Sequence, residues 1–166
     1  MFREIVKWLA ISIPFVLIIL IAVFFWDLRL LRDFSKAESA ELVFGIDISG
    51  NVEFEKVVTL TDAERDELIS YLAGSKIDGN GSFICTPRQI SIKLSAGWKS
   101  VSFFPVTDGC SGLGVPGGRA VYVGAETMNR IIDFIQAHMP PQEEMPLQFS
   151  YEYYKNEWRC TYKDVE

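Results

Sequence analysis

ELVFGIDISGNVEFEKVVTLTDAERDELISYL, residues 41–72, contains a strand, a turn, a returning strand and a helix start in unbroken order. Leu42, Phe44, Ile46 and Ile48 recur at every second position. Strand side chains alternate between faces, so this spacing predicts a half-buried β-strand. Ser49, Gly50 and Asn51 are turn formers, and VEFEKVVTL then predicts the returning strand. Thr61-Asp62-Ala63-Glu64 has the spacing of a capping box, in which the Thr hydroxyl and the Glu carboxylate each satisfy an orphan amide at a helix start. Leu68, Tyr71 and Leu72 then share one side of the helix, and Gly74 can close it in the left-handed conformation.

A second group of elements repeats this order downstream. After the polar stretch Ser75–Ser82, Ile90, Ile92 and Leu94 alternate in a strand, Ala96-Gly97 is the predicted turn, and Trp98–Phe104 returns. DGCSGLGVPGG, residues 108–118, reads as a Gly-rich surface loop, followed by a short strand from Arg119 to Val123. Ala125–Met139 carries the strongest helical pattern of the domain, with Met128, Ile131, Ile132 and Ile135 on its apolar stripe and Pro140-Pro141 as its stop. Helices placed after antiparallel strands predict an α+β fold: a small two-layer domain, mainly antiparallel sheet with two helices on one face.

The last twenty residues predict a hairpin turning at Lys155-Asn156. That register sets Tyr153 against Trp158, Tyr151 against Cys160 and Phe149 against Tyr162, with Glu152–Arg159 among the polar pairs on the other face. The aromatic face either completes the core or docks a protein partner, since Tyr and Trp dominate binding hot spots.

Upstream of the domain the composition changes. WLAISIPFVLIILIAVFFW, Trp8 to Trp26, contains no charge. Nineteen helical residues span roughly 28 Å, close to the hydrocarbon thickness of a bilayer. A Trp at each end suits the headgroup level, and the interior Pro14 is tolerated in a membrane helix. A cleaved signal peptide has a shorter apolar region and a small-residue cleavage site, and neither is found here. The expected layout is a tail over 1–7, a single-pass signal anchor over 8–26, a juxtamembrane tether over 27–40 and an extramembrane domain over 41–166. Trp8, Trp26, Arg29, Arg32 and Lys36 are the expected membrane-interface residues, the three cations sharing one helical face if the helix continues. Flanking positive charge is nearly balanced, so it sets no orientation. A short tail before a long domain suits export of the domain to the periplasmic or extracellular side.

Across 166 residues there are 16 basic and 22 acidic side chains, and mean hydropathy is +0.15. Removing Arg3, Glu4 and Lys7 leaves 14 basic and 21 acidic residues, a net charge of −7 beyond the tail. Without a basic cluster such a domain lacks the electrostatic footprint of a nucleic-acid binder.

Three cysteines stand at 85, 110 and 160. Extending a hairpin centred on Ala96-Gly97 outward brings Cys85 opposite Asp108, two positions from Cys110. A Cys85–Cys110 disulfide is therefore expected; it would close a loop of about 26 residues and stabilise by about 3 kcal/mol. Disulfides persist in oxidising compartments, which agrees with export. Cys160 is left over, packed beside Tyr151.

No cofactor is expected. A metal would require the lone His138 with widely separated cysteines, unlike structural zinc spacing. At the end of its helix, His138 is better placed to cap the macrodipole. Nucleophilic catalysis lacks a base near any Ser or Cys. Gly112-Leu113-Gly114-Val115-Pro116-Gly117 matches G-x-G-x-x-G formally, but a strand follows where a dinucleotide site needs a helix. The leading expectation is a non-enzymatic interaction module of the cell envelope. Its candidate partner-binding residues are Leu113 and Val115 in the Gly-rich loop and Tyr151, Tyr153, Trp158 and Tyr162 in the hairpin. The alternatives are a structural subunit of a membrane complex and an envelope hydrolase. The first is weakened by the lack of a small-xxx-small motif, and the second needs clustered carboxylates.

Overall fold

The computed structural model describes residues 14, 16–18, 33–48, 51–73, 75–78, 89–106, 112–115 and 119–160. β1 (Ser39–Ile48) and β2 (Asn51–Thr59) form the expected hairpin, with Leu42 opposite Val58 and Phe44 opposite Lys56. Ala40, Leu42 and Phe44 are buried, so the alternation is the core face of β1. A bulge after Ile46 leaves Glu53 without an opposite number, since Asp47 next pairs with Val52. Just before it, a Cβ on Gly45 would lie 2.9 Å from the Phe54 carbonyl oxygen, so the two backbones approach as closely as only glycine allows.

The capping box forms as predicted. The Thr61 amide donates to Glu64 Oε2 at 2.7 Å, and the Glu64 amide donates to Thr61 Oγ1 at 3.4 Å. It opens α1 (Asp62–Leu72), which buries Leu68 and Leu72. Ala73 already turns to extended geometry, and Gly74 lies outside the described residues. Within the polar stretch predicted as loop, Lys76–Asp78 forms a short strand, β3, at the far edge of the sheet against Ala120–Tyr122. Three residues without an apolar pattern carry no periodic signal; only pairing with a distant strand creates this one.

β4 (Ile90–Ala96) and β5 (Lys99–Pro105) turn at Gly97-Trp98, one residue beyond the predicted turn. Gly97 takes φ +58°, which suits the first position of a two-residue Gly-X hairpin turn. Partners are thereby displaced by two positions, which preserves the faces: Ile92 meets Phe103 instead of Val101, and Leu94 meets Val101 instead of Lys99.

The Gly-rich loop needs a larger correction. Gly112–Val115 is strand β6, paired with β5 on one side and with β7 (Arg119–Tyr122) on the other. Gly114 stands between Phe104 and Ala120. Glycines make weak strands on propensity alone, so neighbours on both sides make this segment a strand. The sheet order is β2-β1-β4-β5-β6-β7-β3, every neighbouring pair antiparallel.

One face of this sheet carries the core. Leu42, Phe44, Ile92, Leu94, Phe103, Leu113 and Val121 meet Leu68 and Leu72 of α1 and Met128, Ile131, Ile132 and Ile135 of α2 (Ala125–Ala137) in a single cluster. The domain is therefore small and α+β, an antiparallel sheet with helices.

It also begins earlier than Glu41. Phe34 and Ala37 are buried, and the Phe34 and Phe103 rings meet edge to face at 5.5 Å. This burial overrides the predicted helical continuation: Asp33 is non-helical (φ −148°, ψ 85°), and only Phe34–Lys36 makes a 3₁₀ turn. A helical face running through Arg29, Arg32 and Lys36 is thus interrupted at Asp33. Lys36 instead pairs with Asp33 at 2.9 Å. Of the apolar run, Pro14 and Val16–Ile18 are helical, and Val16, Leu17 and Ile18 are exposed. Among the described residues no helix is long and apolar enough to cross a membrane. Trp8, Trp26, Arg29 and Arg32 lie outside the described residues.

The terminal hairpin is not formed. Residues 151–157 make a helical turn, with the Trp158 amide donating to the Tyr153 carbonyl at 2.8 Å. The aromatic spacing satisfies two periods at once: Tyr154 and Trp158 lie one helical turn apart, while Phe149, Tyr151 and Tyr153 alternate. Contacts with α2 decide between them.

Candidate functional site

Asn129, Asp133 and Gln136 follow one another at i, i+4 and i+7 on α2, forming a polar stripe beside the apolar one. Each holds the terminal segment. Asn129 accepts from the Cys160 amide at 2.9 Å and donates to its carbonyl at 3.1 Å, as a strand neighbour would. Gln136 Nε2 donates to the carbonyls of Tyr154 (2.7 Å) and Trp158 (3.4 Å), groups left orphaned where the helical turn ends. Arg159, expected opposite Glu152, instead reaches Asp133 at 2.8 Å and Gln136 Oε1 at 2.8 Å. Glu152 accepts from Asn156 within its own turn.

Under this polar clamp the aromatic residues are core. Phe44, Phe149, Tyr154 and Trp158 form a chain of ring contacts at 6.4, 5.3 and 5.2 Å. Burial, with the neighbouring Tyr153, pushes the Tyr154 phenol up to about 12. Of the candidate partner-binding residues, Trp158 and Leu113 are fully buried and Val115 nearly so. They present no docking face in this chain, because the turn and strand β6 direct them into the core. Tyr151 and Tyr153 are half-buried and pack against the same cluster. Tyr162 lies outside the described residues, as do Cys85 and Cys110. Cys160 is buried, held through its backbone by Asn129.

His138 ends α2 as predicted, with Nδ1 2.7 Å from the Phe134 carbonyl oxygen. A second contact crosses to α1: Nε2 lies 2.9 Å from Glu64 Oε1. A carbonyl and a carboxylate can only accept, so both contacts are satisfied together only by the doubly protonated ring. The Thr61 hydroxyl and amide, then His138, draw the Glu64 carboxyl down to about 2. Thr61, Glu64 and His138 contain the residue types of a hydrolytic triad in the wrong order. The carboxylate stands between hydroxyl and imidazole, so the imidazole cannot take the hydroxyl proton. The cluster is a strut between two helix ends. Sequence reasoning missed it because Glu64 and His138 are 74 residues apart. Among the described residues no group of His, Cys, Asp and Glu is arranged to hold a metal ion.

The β4–β5 turn differs from all of these in presenting an aromatic side chain to solvent. Trp98 is 82% exposed, although Trp is normally largely buried in a folded domain. Lys99 Nζ lies 4.5 Å from the centre of its ring, and Lys99 as a whole is buried. The turn is tied to the start of β1: the Gly97 amide donates to Glu38 Oε2 at 2.9 Å, and the Glu38 amide donates to the Ser95 carbonyl at 2.8 Å. Arg65 of α1 donates to the Glu38 carbonyl at 2.8 Å, so the helix start is at the same end of the domain. The predicted strand Trp98–Phe104 obscured this site; the Gly97-Trp98 dipeptide, in the Gly-X pattern of a tight hairpin, was the available signal. No family model, curated protein or solved structure matches the chain.

Proposed function

We propose that this is a single-pass membrane protein, anchored in the bilayer by residues 8–26. In this reading its acidic domain is a non-enzymatic interaction module on the extracytoplasmic side. The carrying observation is the uncharged run of nineteen residues closed by Trp8 and Trp26, long enough to span the hydrocarbon core. The exposed helical residues Val16, Leu17 and Ile18 support it, since apolar side chains that do not pack on the domain need an apolar surrounding.

Export is supported by the cysteines. Cys85 and Cys110, both outside the described residues, are the pair expected to form a disulfide, and a disulfide requires an oxidising compartment. A protein partner would have to engage surfaces other than the terminal aromatic segment, whose rings are occupied by the core.

Two measurements on whole cells test this reading. Alkaline carbonate extraction should leave the chain in the membrane pellet. Alkylation under denaturing conditions without reductant should label one cysteine of three. Release by carbonate refutes the anchor; three labelled cysteines refute the disulfide and, with it, the support for export.

A further inference from the structure

We infer that the β4–β5 turn is a second membrane contact, with Trp98 seated in the headgroup region of the bilayer beside the anchor. This rests on residues 8–26 spanning the membrane and extends that reading to the orientation of the domain.

Three observations converge on it. First, the chain leaves little slack. Phe34 and Ala37 are already in the core, so no more than the seven residue steps from Trp26 to Asp33 separate the anchor from the domain. Seven residue steps reach at most about 25 Å when fully extended, and about 10 Å when helical. The end of the domain where β1 begins is therefore held close to the bilayer.

Second, the turn is at that end. Glu38, the residue before β1, is bonded to Gly97 through its carboxylate and to Ser95 through its amide. Trp98 cannot swing to the far side of the domain without breaking both bonds.

Third, the side chain has the right chemistry. Indole is the group most suited to the membrane interface, where its apolar body and its N–H donor are both satisfied. Exposing an indole to bulk water leaves a large apolar surface unburied, whereas a lipid interface a short tether away covers it. The tether also supplies a high effective concentration, so a contact too weak to recruit a soluble protein is enough to orient an anchored one.

The test uses the full chain, reconstituted at low density in phosphatidylcholine vesicles with either ordinary lipid or lipid brominated near the carbonyl end of its chains. Bromine quenches tryptophan on contact. The four tryptophans are Trp8, Trp26, Trp98 and Trp158, and Trp158 is shielded inside the domain. The inference predicts that the emission removed by bromine, per molecule, is about one third smaller in Trp98→Phe than in the wild type, because one of three interfacial indoles has gone. Far-ultraviolet circular dichroism of the variant should be unchanged. If bromine removes the same emission from both proteins while both remain with the vesicles through carbonate, Trp98 does not meet lipid. The inference is then overturned, the anchor stands, and the turn is left to a protein partner. If carbonate releases the wild type, the anchor and the inference fall together.

Discussion

Trp158 and Trp98 have the same side chain and nearly opposite surroundings, at 1% and 82% exposure. Replacing each with Ala therefore tests the fold of the terminal segment. Trp158→Ala removes a fully buried indole from the ring chain and leaves a cavity beside Tyr154, whose ring it meets edge to face at 5.2 Å. Large aromatic truncations of this kind destabilise by about 3–5 kcal/mol. Domains of this size have a total stability of about 5–15 kcal/mol, so the change removes about a fifth of it or more. Trp98→Ala removes an exposed indole and should stay within about 0.5 kcal/mol. With a urea slope of about 2 kcal/mol/M, the Trp158 variant should unfold about 2 M earlier than wild type and the Trp98 variant within about 0.3 M of it. The assay is urea unfolding of the full chain in mild detergent, followed by backbone circular dichroism so that losing a tryptophan does not alter the signal. Coincident midpoints for Trp158→Ala and wild type would refute the placement of the terminal segment in the core. A solvent-facing aromatic hairpin would then return as the docking surface.

Three further outcomes follow from individual contacts. Asn129→Ala removes two bonds to the Cys160 backbone, each contributing about 1 kcal/mol, and should raise the alkylation rate of Cys160 about thirtyfold with little change in the global melt; an unchanged rate contradicts the clamp. Gly45→Ala puts a methyl group 2.9 Å from the Phe54 carbonyl oxygen and should destabilise by about 1–3 kcal/mol, visible as a lower melting temperature. A melt at the wild-type temperature would mean that β1 and β2 do not approach so closely. Because folding draws the Glu64 carboxyl down from 4.5 to about 2, its stabilisation is complete above about 4.5 and disappears as pH falls toward about 2. Wild type should therefore be more stable than Glu64→Gln near neutral pH, with the two melts converging across that window; a gap that does not change with pH removes the ionised carboxylate from the account.

The parts of the fold legible from sequence are those written in local periodicity. The alternation from Leu42 to Ile48, the capping box at Thr61–Glu64 and the stripe from Met128 to Ile135 each predict an element that the structure contains, because their geometry depends on residues a few positions apart. The Gly97-Trp98 turn was misplaced by one residue, which moved the candidate site from a solvent-exposed tip into a strand. β3 and β6 lay beyond reach, since neither three residues of mixed polarity nor a glycine-rich run has a period of its own. Both become strands only when neighbours from elsewhere in the chain complete their hydrogen bonds.

The terminal segment shows most clearly where the boundary lies. Its aromatic pattern fits a strand that puts Phe149, Tyr151 and Tyr153 on one face and a helical turn that puts Tyr154 with Trp158, so the sequence alone left open which rings share a face. The carboxamides of Asn129 and Gln136 decided it, by satisfying the Cys160, Tyr154 and Trp158 backbone across α2. Sequence by itself determined the uncharged run, the acidic balance and the strand–strand–helix order, all of which are properties of neighbouring residues. Tertiary structure decided which aromatic residues are core and which one is left in solvent, because burial depends on what the rest of the chain brings into contact.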